Sequence, residues 1–99
     1  MRLSPRQHKI IIEEAKRLFP NDCTVRLFGS RVNDNLYGGD IDLLLSFTTR
    51  TSNSTEKILQ FNTALQKRLG EQKIDIISYQ TGDALMAVHQ QALKHGIIL

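Results

Sequence analysis

Apolar positions follow two rhythms along this chain. Ile11, Ile12, Ala15, Leu18 and Phe19 recur at helical spacing. Ser4-Pro5-Arg6-Gln7 opens that helix: Ser4 can cap it, Pro5 suits the first helical position, and Gln7 completes a capping box. Pro20-Asn21-Asp22 closes it. Thr24 to Phe28 is short and rich in strand formers. Gly29-Ser30 then turns the chain into a polar interval, Arg31 to Gly39, with room for one helical turn after Ser30. Asp40 to Phe47 reads as a second strand whose Leu43-Leu44-Leu45 is apolar on both faces, as in a central strand. A hydroxyl-rich connector, Thr48 to Ser54, leads to a helix capped by Asn53 or Ser54, with Glu56 near its positive end. Its stripe is Ile58, Phe61, Leu65 and Leu69, with Leu59 alongside, and Gly70 stops it. Lys73 to Tyr79 predicts a third strand. Thr81-Gly82-Asp83 opens a last helix with the stripe Leu85, Val88, Ala92 and Leu93. Lys94 and His95 occupy its last turn and Gly96 ends it. Ile97-Ile98-Leu99 is an apolar tail suited to docking a partner or extending a sheet edge.

The order is helix, strand, strand, helix, strand, helix. It predicts an α+β fold, an α/β layer in which helices cover a small mixed β-sheet. At 99 residues the chain fits one domain, 1–99, without an internal boundary. A domain of this size has little stability to spare, which makes an oligomer or an obligate complex plausible. The formal charge of +3 comes from dispersed cations. That suits a phosphate-bearing ligand or an acidic partner better than direct binding to nucleic acid. The one cysteine, Cys23, cannot form an internal disulfide and reads as packing or surface filler. No segment resembles a signal peptide or a membrane span, so a cytoplasmic protein is expected. His8, His89 and His95 show no ligand spacing; His89 falls near the last helix's stripe as a core histidine.

Three acidic residues break the apolar pattern. On a strand, Asp40 and Asp42 point to one face while Ile41, Leu43 and Leu45 point to the other. Two like charges so placed repel, and a hard cation such as Mg²⁺ or Mn²⁺ compensates them. Asp75, flanked by Ile74, Ile76 and Ile77, is expected in a buried strand and therefore needs a partner. Beside the second strand it joins Asp40 and Asp42, and three carboxylates can hold two divalent ions for an in-line displacement at phosphorus. Alternatively it pairs with Lys73 or Arg26. Gly29 lets the backbone approach a ligand, Ser30 adds a hydroxyl, and the turn's amides with Arg31 suit a phosphate. Tyr37 and Arg50 could border a nucleotide or simply face solvent.

Taken together, Gly29-Ser30, a nine-residue interval, Asp40-Ile41-Asp42 and a strand-borne Asp75 resemble the polymerase beta-like nucleotidyltransferase superfamily. The short length resembles its minimal nucleotidyltransferases. The resemblance implies a nucleotidyltransferase fold, with Asp40, Asp42 and Asp75 as catalytic metal ligands for two Mg²⁺ ions. Asp75 would help ready the attacking hydroxyl, and Gly29, Ser30 and Arg31 would bind the nucleotide. It further implies a HEPN-type helical toxin as partner, with AMP passing from ATP to a tyrosine hydroxyl of that toxin, so that the chain acts as an antitoxin. The alternatives are an antitoxin that binds nucleotide without catalysis, or a recruiting subunit, each acting by contact. Members often follow Gly-Ser-Arg with a small residue, an arginine and a glycine. Here Val32, Asn33 and Asp34 stand there, and Gly39 replaces a common serine.

Overall fold

The computed structural model describes residues 3–20, 23–32, 40–48, 54–70 and 72–99. Asn33, Asp34, Tyr37, Gly38, Gly39, Arg50 and Asn53 lie outside them. Helix α1 spans Pro5–Leu18. Its start is the expected capping box: the Gln7 amide donates to Ser4 Oγ at 3.0 Å, and the Ser4 amide donates to Gln7 Oε1 at 2.9 Å. Strand β1, Thr24–Phe28, runs into a 3₁₀ turn at Gly29–Val32. Strand β2 is Ile41–Phe47, helix α2 is Ser54–Leu69 and strand β3 is Ile74–Gln80. Helix α3, Ala87–His95, and a two-residue strand β4, Ile97–Ile98, complete the chain. This is the expected element order, with the apolar tail added as an edge strand.

The sheet order is β3-β2-β1-β4. β1 is antiparallel to both β2 and β4, while β2 and β3 are parallel, so the sheet is mixed. β2 lies inside it, and Leu43, Leu44 and Leu45 are all fully buried. Ile41, Leu43, Leu45 and Phe47 point into the main core, where Ile10, Ile11 and Ala15 of α1 meet Phe61 and Leu65 of α2. Phe19 packs edge-on against Phe47 and Phe61 at 5.3 and 6.0 Å between ring centres. Cys23 and Leu69 pack against the margin of this core. Leu59 does not join it: it is 64% exposed, because the stripe through Phe61 and Leu65 already fills the face of α2 that meets α1 and the sheet.

A buried acid ties the two covering helices together. Glu14 of α1 accepts from Arg17 Nε at 2.9 Å and Nη2 at 2.6 Å, and from Arg68 Nη1 of α2 at 3.0 Å. Arg6 Nη2 also donates to the Arg68 carbonyl at 2.9 Å. The Arg17 hydrogen bond, followed by that of Arg68, holds the Glu14 carboxyl below its ordinary range against the opposing effect of burial. Only the i, i+3 spacing of Glu14 and Arg17 was visible in sequence.

The opposite face carries Asp42, Leu44 and Ser46 of β2 and is partly covered by α3. That helix starts later than its sequence suggests. Thr81 donates its hydroxyl to the Phe47 carbonyl at 3.2 Å instead of capping a helix, and the Asp83 amide closes a turn on the Gln80 carbonyl at 3.0 Å. His89 supplies the missing cap: its Nδ1 accepts from the Met86 amide at 3.2 Å, so its Nε2 donates to the Ser78 carbonyl at 3.1 Å. Its ring also lies 5.5 Å from that of Tyr79. His89 is therefore a clasp between α3 and β3 and not a core histidine. Leu85 and Val88 are exposed, and in the expected stripe only Ala92 is fully buried. Gly96 follows α3 because a Cβ there would strike the Ala92 carbonyl and stand 3.2 Å from that of Leu27; its φ of −73° is ordinary.

Candidate active site

Register sets the site. Asp42 pairs with Phe28 of β1 on one side and with Asp75 of β3 on the other. The end of β1 and the starts of β2 and β3 thus meet at one end of the sheet. Asp42 and Asp75 stand side by side on one face. Gly29 immediately follows Phe28 and has φ +77°. A Cβ on it would collide with Asp42 Oδ2. Only glycine both takes this backbone conformation readily and leaves space for the carboxylate. The backbone of Ser30 and Arg31 continues in the same 3₁₀ turn.

Asp75 is exposed, contrary to the expectation of a buried position. β3 is the edge of the sheet, so Asp75 has a neighbouring strand on one side only, that of Asp42. The two alternative partners, Arg26 and Lys73, turn to other groups. Arg26 Nη1 donates to Ser46 Oγ at 3.0 Å, and Lys73 Nζ lies 3.6 Å from Asp40 Oδ2. Asp40 precedes β2. Its carbonyl accepts from Arg31 Nε at 3.1 Å, and the next amide, that of Ile41, donates to the Lys73 carbonyl at 2.9 Å. Arg31 Nη2 also reaches Gln72 Oε1 at 3.4 Å. Gln72 and the pairing of Lys73 with Asp40 carried no sequence signal, since both depend on strand register.

Asp42 is the strained member. Burial first, then the charges of Asp75 and Asp40 and a hydrogen bond with Asp75, push its carboxyl above the ordinary range; Lys73 opposes this. Among the described residues no three metal-ligating side chains close on one point. Mg²⁺ does not require such a cage. It is commonly held by one or two carboxylates, with water and substrate phosphates completing an octahedron. Two hard oxygen donors side by side, with the Asp42 anion disfavoured by burial and by its neighbours, fit that demand.

Residues 9–99 match the family described as polymerase beta, nucleotidyltransferase. The chain belongs to that family. No curated protein matches it. Among the described residues, the mixed four-stranded sheet with three α-helices agrees with the nucleotidyltransferase fold. Nucleotidyl transfer is the general activity of the family, and its domains generally use a nucleoside triphosphate and a divalent metal. No helix among the described residues is long and apolar enough to cross a membrane.

Proposed function

We propose that this chain is a single-domain minimal nucleotidyltransferase that moves AMP from ATP to a hydroxyl, that of a tyrosine on a HEPN-type helical toxin, and so acts as an antitoxin in the cytoplasm. The observation that carries the catalytic part is the in-register pairing of Asp42 with Asp75 beside the Gly29 turn. Asp42 and Asp75 would hold Mg²⁺, or Mn²⁺ in its place, with Asp40 joining them on binding; the ion would supply charge neutralisation at the attacking and leaving oxygens. The amides of the Gly29-Ser30 turn face the β- and γ-phosphates and orient the triphosphate. Asp75, exposed at the sheet edge, takes the proton of the acceptor hydroxyl. That oxygen bonds to the α-phosphorus, the bond from phosphorus to the β-bridging oxygen breaks, and pyrophosphate leaves. The collision of any side chain at position 29 with Asp42 explains why the turn and this acid must be chosen together.

The test is transfer of label from α-labelled ATP to the co-expressed partner with Mg²⁺, read by intact mass. An added AMP mass on the partner, lost with Asp42→Asn, is the expected result. A panel of nucleotides that gives no transfer, with full neutralisation of the partner by the Asp40→Asn, Asp42→Asn double variant, favours an antitoxin acting by contact. The Lys73–Asp40 ion pair favours that alternative, because it satisfies one acid within the chain.

A further inference from the structure

Arg31 is placed to act on the protein itself. Its Nε and Nη2 form the edge with which arginine grips a carboxylate or phosphate side-on. In this chain that edge faces protein acceptors, among them the Asp40 carbonyl at 3.1 Å and Gln72 Oε1 at 3.4 Å. Arg17 uses the same pair of nitrogens on Glu14, at 2.9 and 2.6 Å, and there the result is a structural clamp.

The geometry of the neighbours gives the Arg31 clamp a specific purpose. Asp40 lies just outside β2 and has no place in the paired register of that strand. Its backbone is held from one side by Arg31 and, through the Ile41 amide, by the Lys73 carbonyl from the other. Gln72 lies three residues before Asp75 in the segment leading into β3. Arg31 itself lies two residues beyond Gly29. One guanidinium therefore links the three segments that carry Gly29, the Asp40–Asp42 pair and Asp75. Arginine suits this because its fork is planar and rigid. A lysine keeps the charge but cannot hold two acceptors in one fixed plane.

We infer that Arg31 is a positioning residue: it sets the distance between Asp40 and the start of β3 through Gln72, and thereby governs divalent-metal affinity before any nucleotide binds. This rests on the metal-dependent transfer proposed above. The experiment uses the full chain without nucleotide and titrates it with Mn²⁺, reading free Mn²⁺ by electron paramagnetic resonance. Arg31→Lys is expected to raise the Mn²⁺ dissociation constant about tenfold, and Gln72→Ala about threefold, as for residues that orient metal ligands without touching the metal. For Gln72→Ala the KM for ATP at saturating Mn²⁺ is expected to change by less than about twofold, since no residue assigned to the nucleotide is altered. Melting curves are recorded in parallel. A lowered Tm with unchanged Mn²⁺ affinity well below that Tm marks a merely structural clamp and overturns the assignment. So does an unchanged Mn²⁺ affinity with a raised KM for ATP, the signature of a phosphate contact. Gln72→Ala removes one acceptor at a half-buried position, so it decides the matter if Arg31→Lys does not fold. A wild-type chain that takes up no Mn²⁺ without nucleotide, or uptake unaltered in both variants, overturns this role alone, since substrate phosphates complete the metal's shell in the proposed reaction. The metal-dependent function is overturned only if the wild-type chain gives no transfer from ATP with Mg²⁺ or Mn²⁺.

Discussion

Glu14 and Asp42 are both carboxylates withdrawn from water on this small domain, and their surroundings treat them in opposite ways. Glu14 meets two guanidiniums, and its pKa falls. Asp42 meets two further carboxylates, and its pKa rises. The first site satisfies its charge within the chain and joins α1 to α2. The second leaves negative charge concentrated at the end of the sheet, where a dication and a polyphosphate can compensate each other and the acids at once. A balanced charge network is what a fold needs; an unbalanced one, held open by Gly29, is what a ligand site needs.

The contrast between the two acids is tested most directly at Asp42. Asp42→Asn is expected to lower label transfer by about a thousandfold, several kcal/mol of lost charge stabilisation. The same change should raise the Tm of the metal-free protein by roughly 2–4 °C, since it relieves less than about 1 kcal/mol of repulsion at a partly exposed site. Loss of activity together with a lower Tm would mean that Asp42 supports the fold. Gly29→Ala comes next. Its Cβ must displace Asp42 and adopt a positive φ, so a loss of about 2 kcal/mol in urea unfolding is expected, with transfer falling at least as far as in a destabilised control.

Glu14→Gln sharpens the other side. It should cost about 1–2 kcal/mol, less than a sealed ion pair because both guanidiniums reach water. Transfer per folded molecule should not change. The smallest effect has the clearest sign. The folded pKa of Glu14 is depressed, so its contribution is present above the ordinary carboxylate range, about 4, and is lost as pH falls through and below it. The folded pKa of Asp42 is raised, so the metal-free fold holds that proton more tightly than the unfolded chain and loses stability as pH rises through that window. In Tm-against-pH curves, the gap between wild type and Glu14→Gln should narrow toward low pH, while the gain from Asp42→Asn should grow as pH rises. Gaps of the same sign in both variants would dissolve the contrast.

Much of the fold was legible in local chemistry. The Ser4–Gln7 capping box, the apolar run Leu43-Leu44-Leu45 and the stripe Phe61, Leu65 are patterns of neighbouring residues, and the structure keeps them. The last helix was misjudged because Thr81 spends its hydroxyl on a strand 34 residues away while His89, inside the helix, caps it from within. Leu59 and Asp75 were misjudged for a related cause. Burial depends on which face or edge an element presents, and spacing alone does not say how many neighbours that face receives.

The chain alone therefore determined the order of elements, the glycine turn and the identity of the acids, since each of these follows from steric and hydrogen-bonding preferences within a few residues. The tertiary structure decided the rest: that Asp42 lies level with Asp75, that Lys73 turns to Asp40, that Arg31 reaches Gln72, and that Glu14 finds Arg68. Strand register and helix docking join residues dozens of positions apart, and electrostatic energy depends on those distances through space and not on distance along the chain.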